Sequence, residues 1–305
     1  MSIEIKELET ESELESIVLF TLNIDDSIKI RIKQDLKNHS FRCLYALSDQ
    51  TCLSYIIICD SYSTWQHRIF YCSDIYLHSS LDTAEKKLNT LQMLFNKLFQ
   101  IARDNRYHHV NLNINIEINK DILDLVVKLG ARNLTKEEDW LIFEMKHDQM
   151  IEFSQLELPQ IEPEYKLIKL DINNISVYIS QVIDLIKEIA IFEKMVDQFE
   201  TTRDDLIRDF QFDKNNLRFY ELFILVKNET EVVGYNVYHR KYELIKGAGF
   251  YMEELYIREN YRKKRFGTLL WKAITKDIVD NYKEANYIHW AVLRYFIEFR
   301  SFNFL

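Results

Sequence analysis

The stretch ENYRKKRFGTLLWKAI, residues 259–274, decides the fold of the second half of the chain. Four basic residues, from Arg262 to Arg265, precede Gly267 and a run of apolar residues at helical spacing. The segment before it, FYMEELYI at residues 250–257, predicts a buried strand. A strand, a short basic loop and a helix start direct backbone amides and the helix dipole at an anion such as a pyrophosphate. The spacing fits neither a dinucleotide-binding nor a P-loop motif.

The composition limits the class of protein. A length of 305 residues predicts about two domains. The net charge of −9 argues against a general nucleic-acid binder and suits a cationic ligand. The four cysteines form no CxxC pair and are interpreted as buried hydrophobic residues, so no metal site is predicted. We see neither a secretory signal nor a run of eighteen apolar residues, and therefore expect a cytoplasmic protein without a membrane span.

The two halves of the chain resemble each other. LSYIIICDSYSTWQHRIFYCSDIY at residues 53–76 aligns without a gap to VGYNVYHRKYELIKGAGFYMEELY at residues 233–256. Both predict a strand–turn–strand hairpin, and both are preceded by a strand and two helices. A long amphipathic helix, strand HHVNLNINI, a helix and strand DWLIFEM complete the first half, whereas the second half ends one strand short. Such repetition of strands and helices predicts a duplicated α/β fold.

The only two prolines, Pro159 and Pro163, stand between these halves. Proline disfavours helix in the residue before it and provides no hydrogen-bond donor for a sheet. We therefore predict a domain at residues 1–148, a linker at 149–164 and a second domain at 165–305.

Several of these segments resemble the GNAT N-acetyltransferases, and within them the diamine (spermidine/spermine) and thialysine acetyltransferase branch. The acetyl-CoA loop of the family, Arg/Gln-x-x-Gly-x-Gly/Ala, is matched by RKKRFG at residues 262–267. YMEELYIRENYR and AIFEKMVDQFETTRDDLIRDF resemble the branch in the second half, as do YSTWQHRIFYCSDIYL and LGARNLTKEEDW in the first. The resemblance implies two tandem GNAT-like α/β domains, each with a mixed, mostly antiparallel sheet. The first of them has a degenerate cofactor loop.

The resemblance also implies acetyl-CoA as the co-substrate, bound by the end of a strand and the basic loop. The side-chain pattern alone leaves a solvated charge run or a nucleic-acid patch as alternatives for the basic residues. The residues expected at acetyl-CoA are Leu255, Tyr256, Ile257, Arg262, Lys263, Lys264, Arg265, Phe266, Gly267 and Thr268.

Four carboxylates are candidates for the residues that bind or deprotonate the acceptor amine. Acetyl transfer needs a neutral amine, so Glu253 or Glu254 is expected to accept a proton through water; the alternative is a charge pair at a strand edge. Glu193 and Asp197 stand four residues apart and are expected on one helix face, where they could hold an ammonium group; the alternative is a solvated surface. The resemblance favours Glu193 as the residue that binds the acceptor. The implied function is acetyl transfer to a primary amine of a diamine, polyamine or thialysine-like acceptor by direct attack in a ternary complex.

The chain departs from the family in ways that favour a second hypothesis. Arg265 replaces the first glycine of the loop, and Phe299 replaces the tyrosine that protonates the CoA thiolate, so activity would depend on Tyr295 or water. These departures and the missing last strand favour a catalytically inactive protein that binds acyl-CoA, a polyamine or a partner. The missing strand would also leave a sheet edge uncovered, through which a homodimer is expected.

Overall fold

The computed structural model describes residues 3–114, 120–157, 159–211 and 218–294. It divides into two compact units, each drawn from three stretches of the chain. The first unit comprises Met1–Asp60, Ile69–Asp139 and Lys241–Ala248, and the second comprises Ser61–Arg68, Trp140–Arg240 and Gly249–Leu305. The domain boundaries predicted at residues 148 and 165 stay a prediction. The tip of each predicted hairpin, however, is grouped with the other half of the sequence.

The first half of the chain contains a five-stranded mixed sheet in the order β1-β2-β3-β4-β5, in which only β4 and β5 are parallel. The elements before residue 138 are β1 (Glu4–Glu7), α1 (Glu11–Ile17), α2 (Asp26–Lys37), β2 (Arg42–Ser48), β3 (Thr51–Ser63), β4 (His67–Leu77), α3 (Ala84–Asp104), β5 (His109–Leu112), α4 (Lys120–Lys128) and α5 (Leu134–Glu137), with a 3-10 turn at Leu19–Thr21.

The rest of the chain contains a six-stranded mixed sheet in the order β6-β11-β10-β9-β8-β7. Its elements are β6 (Trp140–Lys146), α6 (His147–Gln155), β7 (Tyr165–Lys169), α7 (Ile175–Phe192), α8 (Arg203–Phe210), β8 (Glu221–Lys227), β9 (Glu231–Glu243), β10 (Gly247–Ile257), α9 (Phe266–Asn281) and β11 (Tyr287–Leu293), with 3-10 turns at Val196–Gln198 and Glu259–Tyr261.

The predicted α/β class with two mixed sheets is confirmed. Both hairpins form, as β3–β4 and β9–β10, and the amphipathic helix of the first half is α3. Gly130 lies just past the end of α4 with φ of +99°, the left-handed conformation that favours glycine at a helix end. The predicted strand HHVNLNINI spans residues 108–116, and within its described part, residues 108–114, the strand is His109–Leu112.

The prediction that DWLIFEM closes the sheet of the first half is wrong. This segment is β6, which pairs antiparallel with β11 over seven residue pairs, from Tyr287↔Lys146 to Leu293↔Trp140. The expected uncovered edge next to β11 is therefore covered. A homodimer stays a prediction, but its stated basis does not hold.

The six-stranded sheet packs helices on both faces. Tyr235 and Val237 of β9 share a buried cluster with residues of α7 and α8. Tyr238 of β9 and Phe250 of β10 share another with residues of α6 and α9. Because successive side chains of a strand point to opposite faces, these memberships identify an α7 face and an α9 face of the sheet.

Gly249 of β10 provides a test of this packing. A Cβ atom at this position would lie about 2.5 Å from ring atoms of Tyr287 on β11. We expect Gly249→Ala to lower the free energy of unfolding by about 1–3 kcal/mol through overpacking. Gly267→Ala is the control, since its Cβ would make an ordinary contact at 3.6 Å with Leu255. Equal midpoints of thermal unfolding for the two variants would contradict this account.

Candidate active site

Strands β10 and β11 separate in the middle of the sheet. Their parallel pairing covers Phe250↔Ile288, Tyr251↔His289 and Met252↔Trp290 and ends there, although β10 continues to Ile257 and β11 to Leu293. From residue 253 onward, the edge of β10 that faces β11 therefore presents backbone groups that the sheet does not pair. We call this opening the β10–β11 cleft.

The alternation of side chains along β10 changes at the start of the cleft. Phe250 and Met252 pack in the α9-face cluster, and so do Leu255 and Ile257, so the alternation slips by one residue between Met252 and Leu255. An extra residue in a strand produces such a slip, as in a β-bulge. As a consequence, the successive carboxylates Glu253 and Glu254 both point to the α7 face.

Glu254 is the most buried carboxylate of the site, with 8% of its surface exposed. Its Oε2 accepts a hydrogen bond of 2.5 Å from the hydroxyl of Tyr235. The hydroxyl of Thr64 faces the same carboxylate without meeting hydrogen-bond geometry. Burial, with smaller contributions from Glu253 and Glu193, raises the pKa of Glu254 to about 8, so this carboxyl group holds its proton at neutral pH.

Glu193 lies directly after α7, where it is the C-terminal cap residue, and is half-buried. Burial, followed by the negative charge of Glu253, raises the pKa of Glu193 to about 7. The predicted shared helix face with Asp197 is wrong: α7 ends at Phe192, and Lys194 has φ of +60°. Asp197 lies in the following 3-10 turn and is exposed.

The structure thus brings together three of the predicted residues, Glu193, Glu253 and Glu254, which we call the carboxylate cluster. Among the residues that the structure describes, no lysine or arginine forms an ion pair with any of the three. A buried group of like charges gains most from a cation placed among them. The arrangement favours a ligand that carries ammonium groups.

The basic loop, residues 262–265, connects a 3-10 turn to α9. Arg265 caps α9 in the left-handed conformation, with φ of +61°, and makes no side-chain capping hydrogen bond. This conformation explains why a glycine suits the position, and Arg265 adopts it at a cost of about 1–2 kcal/mol. The first amides of α9 are thus left without a capping side chain, as an anion-binding helix start requires.

The basic side chains differ in their surroundings. Lys263, Lys264 and Arg265 are exposed, and Lys264 Nζ donates to the hydroxyl of Tyr165 at 3.2 Å. Arg262 is half-buried, and its Nε donates to the carbonyl oxygen of Ile257 at 2.9 Å. This bond joins the basic loop to the end of β10.

The Arg262 guanidinium lies over two aromatic rings, 5.3 Å from that of Phe192 and 5.5 Å from that of Tyr256. These residues line a cavity of about 410 Å³ together with Glu188, Ile191, Arg258, Glu259 and Asn260. The Glu188 carboxylate accepts hydrogen bonds of 3.1 Å from the Tyr256 hydroxyl and from Arg258 Nε. The cavity therefore opens beside the basic loop, at the end of β10.

The other predicted cofactor residues surround this region. Leu255 and Ile257 pack on the α9 face, and Gly267 and Thr268 are half-buried in the first turn of α9. The side chain of Phe266 is buried against Tyr165, with ring centroids 4.7 Å apart, so only its backbone could reach a ligand. Phe299 and Tyr295 lie outside the described residues.

Sequence reasoning missed Tyr235, Thr64 and His239. His239 Nε2 lies 3.8 Å from Glu253 Oε2. Tyr235 and His239 occur in the hairpin used for the repeat alignment, where alternation along β9 places them on the α7 face. No feature of the sequence indicated Thr64 as a site residue, because it lies in the hairpin of the first half of the sequence, far along the chain from Glu254.

The corresponding residues of the first unit are arranged differently. Glu253 and Glu254 align with Ser73 and Asp74. The Asp74 carboxylate accepts hydrogen bonds from the Ser73 hydroxyl at 2.6 Å and from the backbone N–H of Leu244 at 3.1 Å. Both bonds go to Oδ2, so this oxygen of Asp74 is used by the unit itself.

In the described part of the chain, no group of three or more histidine, cysteine or carboxylate side chains could hold a metal ion. None of the helices in that part is long and apolar enough to cross a membrane.

Comparison with known proteins bears on the region around the carboxylate cluster. The model of the "Acetyltransferase (GNAT) family" matches residues 183–295. Spermidine/spermine N(1)-acetyltransferase-like protein 1 of Homo sapiens is 30% identical over 118 residues, which are 37% of this chain and 16% of that protein. Thialysine N-epsilon-acetyltransferase of Caenorhabditis elegans is 30% identical over 113 residues, which are 37% of this chain and 66% of that protein. The names of these relatives do not favour the non-catalytic hypothesis.

Two solved structures resemble nearly the whole chain. A tandem GNAT protein from the clavulanic acid biosynthesis pathway has a TM-score of 0.50 at 11% identity and covers 96% of this chain and 90% of its own. A GCN5-related N-acetyltransferase from Sphaerobacter thermophilus has a TM-score of 0.52 at 9% identity and covers 95% of this chain and 86% of its own. At these identities the likeness shows the fold alone, and that fold agrees with the predicted tandem arrangement.

The raised pKa of Glu254 predicts how stability depends on pH. Between the ordinary value of 4.5 and about 8, the folded state keeps a proton that the unfolded state has lost. The free energy of unfolding therefore falls as pH rises through this window, by about 1.4 kcal/mol for each unit of pKa shift. Glu254→Gln removes this pH-dependent loss of stability and keeps a hydrogen-bond acceptor for the Tyr235 hydroxyl. We expect the difference in thermal midpoint, Glu254→Gln minus the unmodified protein, to increase from pH 5 to pH 9.

The matched control is Asp197→Asn, which removes an exposed carboxylate in the 3-10 turn that follows α7. The thermal midpoint of this variant should differ from that of the unmodified protein by the same amount at every pH. A constant difference between Glu254→Gln and the unmodified protein across the pH range would contradict the buried, protonated state of Glu254.

Proposed function

We propose that the chain transfers an acetyl group from acetyl-CoA to a primary amine of a small cationic acceptor, a proposal supported by the match of residues 183–295 to the model of the acetyltransferase (GNAT) family. GNAT acetyltransferases use acetyl-CoA. Diamines, polyamines and thialysine-like amines are the acceptor class that we propose. The names of the two relatives and the carboxylate cluster both support this class.

The observation that carries the proposal is the β10–β11 cleft, which opens between an acidic group and a basic one. The carboxylate cluster lies where β10 and β11 separate, and the basic loop follows the end of the same strand. A co-substrate with an uncharged arm and a charged pyrophosphate fits this order. The unpaired edge of β10 would bind the arm, and the start of α9 would bind the phosphates.

We assign the cofactor residues on this basis. The backbones of Leu255, Tyr256 and Ile257 would pair with the amide groups of the pantetheine arm in the manner of an added strand. Lys263, Lys264 and Arg265, which are exposed, would neutralise phosphate charge. The backbone amides of residues 266–268 would donate to the pyrophosphate. Arg262 would hold the loop at the end of β10 through its bond to Ile257.

The carboxylate cluster would bind and deprotonate the acceptor. Glu193 and Glu253 would hold ammonium groups, and Glu253, with 18% of its side chain exposed, would accept a proton through water. Glu254 would position Tyr235 through their hydrogen bond. The amine nitrogen forms a bond to the acetyl carbon, the carbon–sulfur bond breaks, the amine proton passes to the carboxylate, and the thiolate takes a proton from water. Acetyl-CoA supplies the activated acetyl group, and the site supplies proximity.

The cofactor half of the proposal is tested by titrating acetyl-CoA calorimetrically into the protein and into Gly267→Asp. A carboxylate in the first turn of α9 is favourable for the helix but repels phosphate. We expect affinity to fall by at least about tenfold, or about 1.4 kcal/mol, while the thermal midpoint is kept. The double variant Arg262→Ala/Gly267→Asp should bind more weakly still.

Gly267→Ala is the control for this experiment, since it introduces a side chain without charge and with room available. It should bind within about twofold of the unmodified protein. Equal loss in the alanine and aspartate variants would indicate a steric effect, and no binding to the unmodified protein would contradict the proposed site.

The acceptor half is tested with steady-state kinetics on spermidine and on a monoamine of similar length. We expect Glu193→Gln to raise KM for spermidine about tenfold, because one charge-assisted hydrogen bond is lost, and to change KM for the monoamine less. Asp197→Asn should leave both values unchanged. Tight acetyl-CoA binding without transfer to any amine would support the non-catalytic alternative instead.

A further inference from the structure

The cavity at the end of β10 holds two acidic and two basic side chains, of which only some are paired. Glu188, Arg258, Glu259 and Arg262 are all among its lining residues. Arg258 Nε lies 3.1 Å from Glu188 Oε1, so these two charges compensate each other. Within the described part of the chain, neither Arg262 nor Glu259 forms an ion pair. The cavity therefore presents one cation and one anion that a ligand could pair with.

The surroundings of Arg262 hold its guanidinium in one orientation. Its Nε donates to the carbonyl oxygen of Ile257 at 2.9 Å, and its guanidinium lies over the rings of Phe192 and Tyr256. Because the backbone uses Nε, a ligand would meet the two Nη groups. Two parallel N–H donors of a guanidinium match the two oxygens of a carboxylate. An arginine that is already held in place loses little conformational entropy on binding.

An apolar surface leads from the cavity towards the carboxylate cluster. Ile191 and Phe192 line the cavity, are 63% and 41% exposed, and directly precede Glu193 in the chain. Tyr256, which also lines the cavity, follows Glu253 on β10 by three residues, or about 10 Å of strand. An extended chain of methylene groups could cover this surface. The order of charged head, apolar stem and amine is that of a diamino acid.

We propose that this cavity binds the α-amino acid head group of the acceptor, so that the acceptor is a diamino acid acetylated on its side-chain amine. The α-carboxylate binds Arg262, the α-ammonium group binds Glu259, and the stem lies against Phe192. The side-chain amine then reaches the carboxylate cluster. The inference rests on the proposed function, whose bond changes it leaves as they are. It makes Arg262 and Glu259 specificity-determining residues.

The charges of the cavity favour this ligand over the two alternatives. Its two acids and two arginines sum to zero, which suits a zwitterionic head group and not a phosphate with more than one negative charge. The exposed basic residues 263–265 lie outside the cavity and remain for the phosphates of acetyl-CoA. A polyamine would place a second ammonium group beside Arg262, where like charges repel.

The kinetic test compares two acceptors that differ only in the carboxylate, thialysine and bis(2-aminoethyl) sulfide. We expect kcat/KM of the unmodified protein to be at least about tenfold higher for thialysine, because the carboxylate gains charge-assisted hydrogen bonds. Arg262→Gln should remove most of this preference, while the glutamine amide can still donate to Ile257. Both acceptors meet the same complex with acetyl-CoA, so an effect of the variant on the cofactor cancels in the ratio.

Lys263→Gln is the matched control, since it removes a positive charge from the neighbouring, exposed position of the same loop. This variant should lower kcat/KM for both acceptors alike and keep their ratio within about twofold. An equal fall of the ratio in the two variants would indicate a general effect of loop charge and overturn the proposed contact. Equal kcat/KM values for the two acceptors in the unmodified protein would also overturn it.

A calorimetric titration of both compounds in the presence of free CoA does not depend on turnover. Arg262→Gln and Glu259→Gln should each weaken the binding of thialysine about tenfold. In Arg262→Gln, the affinity for bis(2-aminoethyl) sulfide should stay within about twofold. These changes without acetyl transfer to either compound would retain the head-group site and reject the proposed function. Transfer to amines with unchanged thialysine affinity in Arg262→Gln would retain that function and overturn the inference.

Discussion

The site depends on one irregularity in β10. The slip in alternation between Met252 and Leu255 places Glu253 and Glu254 on the same face, and β10 and β11 stop pairing at the same point. A regular strand would send one of the two carboxylates into the apolar α9-face cluster, where an unpaired charge is costly. The irregularity therefore creates both the acidic cluster and the open strand edge, and the remaining features are arranged around it.

The hydrophobic cores on the two faces hold this irregularity in place. Tyr235 is wholly buried on the α7 face, and its hydroxyl finds its acceptor in Glu254. On the other face, Gly234 allows β9 and β10 to approach closely, since a Cβ atom there would lie 2.9 Å from the carbonyl oxygen of Tyr256. The apolar packing thus fixes the backbone, and the backbone presents carboxylates that could not be buried together without a protonated member or a cation.

Much of the fold and part of the site could be predicted from local patterns. Periodicity and the repeated hairpin indicated both sheets, and the basic residues before Gly267 indicated the start of α9. The pairing of β6 with β11 could not be read in this way, because strand partners distant in sequence are chosen by tertiary packing. The break after Phe192 was missed for a related reason: four-residue spacing indicates a shared helix face only while the helix continues.

The sequence by itself determined the elements, the acidic balance and the residue types of the site, because these follow from side-chain chemistry and spacing along a single segment. Tertiary structure decided which residues meet. It placed Thr64 and Glu193 near Glu254, and His239 beside Glu253. It also decided the protonation of Glu254, since a carboxylate at 8% exposure among like charges behaves differently from the same residue in water. Burial and proximity are properties of the packed chain, and no local pattern of residues encodes them.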